Sequence, residues 1–141
     1  MVHALREAHR VLKPNGILLD MRPAAQHRRA GLGQGKDWRQ VGVMRENFDD
    51  DHAADRAVRR VIRDGLFHPE AQYEFDLDRV MDTLQDCHTW LVDFSSAKLP
   101  SHEWLYQRIA RAIAKEQSNI KIVVRGPLRL WVLKKGIGVK L

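Results

Sequence analysis

One cysteine, Cys87, stands in 141 residues. No internal disulfide can form, so a redox-stapled secreted scaffold is excluded, and the reading is a reducing, cytoplasmic compartment. No apolar run approaches the ~20 residues of a membrane span, and no basic-then-apolar leader opens the chain. The seven histidines include none at zinc-ligand spacing, and Cys87 and His88, being adjacent, point apart on a helix. Neither a Ser-His-Asp order nor a nucleophile elbow is present to support hydrolysis. No metal site is expected.

Apolar residues reach 44 % and charged residues 30 %, which suits one soluble domain spanning 1–141. The net charge of +6 is uneven. Twelve acids against five bases lie between Glu46 and Asp86, and six bases with no acid follow Glu116. The basic parts suit a polyanion, but the acidic middle argues against a continuous nucleic-acid surface.

The most informative stretch is residues 5–23, LREAHRVLKPNGILLDMRP. Leu5, Ala8, Val11 and Leu12 share one side of a helix. Pro14 stops it, and Asn15-Gly16 supplies a turn that tolerates positive φ. Ile17, Leu18 and Leu19 run without alternation, which predicts a strand covered on both faces. Helix, turn and buried strand together predict an α/β fold.

Glu7, Arg10, Val11, Leu12, Lys13, Pro14 and Gly16 resemble the class I S-adenosylmethionine-dependent methyltransferases. There a pattern like E-x-x-R-V-L-K-P-G-G ends the helix before the fifth strand. The resemblance implies the C-terminal half of a Rossmann-like sheet, mixed in direction, ending in an antiparallel hairpin and carrying three or four helices. It divides the domain into a helix–strand core at 1–23, a cap region at 24–119 and a hairpin at 120–135. It implies S-adenosylmethionine as cofactor and a small molecule as substrate. The glycine-rich cofactor turn precedes the matched stretch in the family and is lacking here. The chain is therefore expected to be a methyltransferase only where a complete cofactor site is supplied, and to pair with a missing N-terminal half or with itself. The alternative is a non-catalytic interaction or dimerisation module on the same half-fold. Ligands of open α/β sheets sit beyond the carboxyl ends of strands, which makes Asp20, Arg22, His27 and Arg28 the substrate-side candidates. Arg22 also has partners to hand in Asp20 and the acidic middle.

Elsewhere, residues 24–36 read as a glycine-rich loop that lacks the Gly-Lys-Ser/Thr ending of a phosphate loop. Val41 and Val43 mark a strand. A helix over 50–64 has an alanine–valine stripe inside and Arg56, Arg59, Arg60 and Arg63 outside. Residues 72–75 read as a short strand pairing with 41–46. Residues 76–94 read as a helix, 95–100 as a linker, and 102–117 as a helix capped by Ser101. Residues 120–125 and 128–134 read as a hairpin about Gly126-Pro127, with a loose tail from 136.

Overall fold

A computed structural model describes residues 1–94, 102–116 and 118–137. The expected linker at 95–100, the Ser101 cap, the helix end at 117 and most of the tail lie outside the described residues. The fold is α/β. Its order is α1 (Val2–Val11), β1 (Ile17–Pro23), β2 (Arg29–Leu32), a 3-10 turn (Gly35–Asp37), β3 (Arg39–Val43), α2 (Asp49–Arg63), β4 (Phe67–Met81), α3 (Leu84–Phe94), α4 (Glu103–Ile113) and β5 (Ile122–Lys135). The strands hydrogen-bond in the order β1-β5-β2-β3, with β4 also on β5. The paired strands with a defined register are antiparallel.

The chain divides into two compact units. The first comprises Met1–Ala25, Phe48–Phe75 and Leu128–Leu141. Here α1 ends as the sequence dictates: Asn15 takes φ 61°, and the Gly16 N–H closes onto the Lys13 carbonyl at 2.9 Å. Gly65, at φ 72°, ends α2. Three aspartates in the first turn of α2 and two arginines in its last follow the helix dipole. Leu5 of α1, Ala57, Val58 and Val61 of α2, Phe67 of β4 and Leu133 of β5 form its core, with Leu18 and Trp131 packed against them. The two helices thus cover one sheet face.

The opposite face is open. Met21 sits beside Leu130 and Leu19 beside Val132 in the β1–β5 register. Ile17, Leu19 and Met21 are 46 %, 63 % and 60 % exposed, and Tyr73 and Phe75 of β4 are 55 % and 43 % exposed. β1 is therefore not covered on both faces among the described residues. Its apolar run is a border strand with one bare side.

The second unit comprises Gln26–Asn47 and Asp76–Pro127. Ala30, Leu32, Met44, Met81, Cys87, Leu91, Leu105, Ile109, Ile122 and Val124 form its core. The expected loop at 24–36 contains β2, whose Ala30 and Leu32 are fully buried. Gly31 is needed there: a Cβ would lie 2.3 Å from the Arg39 carbonyl and 2.5 Å from the Trp38 ring.

Three further expectations are corrected. Residues 76–81 continue β4 instead of starting a helix, and α3 spans only Leu84–Phe94. β4 pairs with β5, whereas β3 pairs with β2. The hairpin is a single strand. Arg125 is the last residue paired with β2 and Leu128 the first paired with β1, so Gly126-Pro127 falls where neither partner requires the proline's missing N–H.

Candidate functional site

In the first unit, strand register and α2 converge on a cluster of charges at the carboxyl end of β1. Arg22 and Arg129 are directly opposed across β1 and β5, an arrangement that like charges disfavour. Asp55 of α2 resolves it. One carboxylate oxygen lies 3.2 Å from Arg22 Nη2 as an ion pair, and the other accepts from Arg129 Nη1 at 2.7 Å. Asp20 accepts from Arg22 Nε at 2.8 Å, and Glu74 of β4 accepts from Arg129 Nη2 at 2.7 Å and Nε at 2.9 Å. Apart from Glu74, these side chains are about four-fifths buried. The Glu74 hydrogen bonds first, and then Asp55, raise the Arg129 pKa above its ordinary value, against burial.

Three carboxylates and two guanidiniums are thus mutually engaged. The chemistry available is electrostatic clamping of α2 to the sheet, with Glu74 as the wettest member. The Arg129–Glu74 pair also fixes the orientation of β4. Glu74 lies on the helix-covered side, so Tyr73 and Phe75 alternate onto the open side.

The other two sequence-derived candidates fall in the second unit. Arg28 pairs through its guanidinium with Glu46, donates its backbone N–H to the same carboxylate at 2.9 Å, and stacks 4.5 Å from the Phe94 ring centroid. His27 Nδ1 accepts the Glu46 N–H at 3.1 Å, which assigns its proton to Nε2. The four candidates therefore form two separate pairings. Asp55, Glu74 and Arg129, which complete the first, carry no local sequence signal. They are distant in sequence and meet only through the fold.

The second unit holds two further features. The Trp38 indole donates to the Val123 carbonyl at 3.2 Å, and the guanidinium carbons of Arg125 and Arg29 lie 4.3 and 5.9 Å from its ring. Arg125 and Arg29 are held in turn by Asp78 and Asp76. His102 is 3 % exposed, and neither of its ring nitrogens has a hydrogen-bond partner among the described residues. Burial lowers its pKa, partly opposed by Glu46.

No group of three or more His, Cys, Asp or Glu side chains among the described residues could hold a metal ion. None of the described helices is long and apolar enough to cross a membrane. Within the glycine run at 31–35, a Cβ at Gly31 would strike Trp38 and one at Gly33 would lie 2.5 Å from the Asp37 carbonyl, whereas Gly35 faces open space. No family model, curated protein or solved structure matches this chain.

Proposed function

We propose that this chain is a methyltransferase-like protein of the class I S-adenosylmethionine-dependent type. It contributes the substrate-side, C-terminal portion of the fold and acts on a small molecule once a donor-binding half is supplied. The observation that supports this best is the strand order in the first unit. β5, last in the chain, pairs with both β1 and β4 and runs antiparallel to β1, as the family's seventh strand does between its fifth and sixth. The stretch from Glu7 to Gly16 leads into β1 as that family's pattern leads into its fifth strand.

Gly31 and Gly33 are packed against Trp38 and Asp37, so this reading does not place the donor on them. Donor binding then requires a complementary half-sheet against the bare edge and face of β1. The charge cluster at the end of β1 is the scaffold that holds the substrate side in shape. Isothermal titration of S-adenosylmethionine is the test. The chain alone should give no heat at millimolar ligand, and its complex with a strand-donating half should give a saturable heat. Saturable binding by the chain alone, or none by that complex, overturns the reading.

A second reading, a non-catalytic dimerisation or interaction module, is favoured by the open apolar face. Five side chains about half exposed leave ~500 Å² bare, the size of the largest patch on a typical monomer. Sedimentation equilibrium separates the two. The module reading requires a micromolar self-association that survives every variant of the charge cluster which still folds.

A further inference from the structure

We propose that the outer face of α2 is a groove for the phosphodiester backbone of a nucleic acid, read without regard to base sequence. The inference is independent of the methyl-transfer reading.

Arg56, Arg59, Arg60 and Arg63 recur at the spacing that keeps side chains on one helical stripe. They rim an open groove of about 500 Å³, with Ala53 and Ala57 as its small floor. Val2 of α1 closes one side. No acid lines it. Among the described residues Arg56, Arg59 and Arg63 make no hydrogen bond or ion pair, whereas Arg10, Arg22 and Arg129 of the same unit are each tied to carboxylates. Arg60 has only a 3.9 Å approach from Asp64, which Arg6 also meets at 3.8 Å. At Arg56, Arg59 and Arg63 the stripe therefore concentrates uncompensated guanidiniums, the group best matched to phosphate oxygens.

The geometry selects among phosphate ligands. From Arg56 to Arg63 the helix rises about 10 Å, while successive phosphates advance ~3.4 Å along one strand. The stripe therefore reaches about three phosphates instead of one. No aromatic, Asn, Gln, Ser or Thr lines the groove, so nothing there stacks on or reads a base. It also lacks the large apolar side chains that a helix lying in a membrane interface inserts.

The test is fluorescence anisotropy with two labelled single-stranded oligonucleotides, each about 20 bases long and unrelated in sequence, between 50 and 200 mM KCl. The two should bind with similar affinity. Three engaged phosphates give a log–log salt slope near −2, so affinity should fall about 20-fold over that range. The triple variant R56Q/R59Q/R63Q, with unchanged circular dichroism, should weaken binding at least tenfold at 50 mM KCl and flatten the slope. A charge-matched control, R108Q/R111Q/K115Q, should have a far smaller effect. Equal weakening by the control, an unchanged slope in the triple variant, or no binding at 50 mM KCl overturns the proposal. Displacement of the oligonucleotide by inorganic tripolyphosphate at equal phosphate concentration would also overturn it, by showing a site for compact polyphosphate.

Discussion

Asp55→Ala tests the charge cluster most severely. The carboxylate forms ion pairs with two guanidiniums, at 2.7 and 3.2 Å, that stand opposite each other on neighbouring strands. Removing a partner from a fully buried pair costs roughly 3–5 kcal/mol, and an exposed pair is worth under about 1. Side chains about four-fifths buried fall between, at ~1 kcal/mol for each of the two ion pairs that the substitution breaks. The Arg22–Arg129 repulsion, no longer offset, adds ~0.5–1 kcal/mol at an effective dielectric constant well above that of a dry interior. The expected loss is about 2.5–3 kcal/mol, a large share of the ~5–15 kcal/mol of a typical domain. Urea unfolding followed by circular dichroism reads it as a lower midpoint at unchanged slope. Arg22→Met in the Asp55→Ala background should recover about 1 kcal/mol, because it removes an unbalanced cation. A loss below about 0.5 kcal/mol, or no recovery in the double variant, would refute the clamp.

Three other outcomes follow from single residues. His102 folds with a pKa held below 6.5 by burial. The unfolded chain therefore binds a proton first as pH falls. Stability should be full above about pH 6.5 and drop below it by up to ~1.4 kcal/mol per pH unit, and His102→Phe should flatten urea midpoints between pH 6.5 and 5. Cys87 is fully buried and its thiol is pushed up to about 11, so iodoacetamide at pH 8 should label it only in urea. Gly31→Ala should lower stability by roughly 1–3 kcal/mol, because the new methyl meets the Arg39 carbonyl and the Trp38 ring, and a thermal melt measures it.

Residues whose structure is decided locally are legible in the sequence. The Pro14-Asn15-Gly16 stop, the apolar stripe and terminal charges of α2, and the end at Gly65 are each set within a few neighbours. β4 is ambiguous although its signal is present. Tyr73, Phe75 and Leu77 alternate with Glu74, Asp76 and Asp78 at period two, but Leu77, Val80, Met81 and Leu84 also fit a helical stripe. The cross-strand ion pairs Arg129–Glu74 and Arg125–Asp78 come from the β5 partner and decide in favour of the strand. Gly126-Pro127 reads as a turn in isolation and becomes tolerable inside β5 only because its neighbours' ladders stop on either side of it. The Asp20–Arg22 pair is visible at a spacing of two. Asp55 and Arg129 are not, since only the register of β1 on β5 and the placement of α2 join them.

Amide exchange along β1 tests the half-sheet account most directly. The Lys135 N–H donates to the Gly16 carbonyl at 2.8 Å, and the register then runs unbroken to Pro23. By antiparallel alternation the N–H groups of Leu18, Asp20 and Arg22 point at β5, while those of Ile17, Leu19 and Met21 point away from it. In dilute chain, nuclear magnetic resonance should find the first three protected and the second three exchanging at near-unfolded rates. Equal protection of both sets would mean that β1 already has a second neighbour, which contradicts an open border awaiting the other half of the sheet.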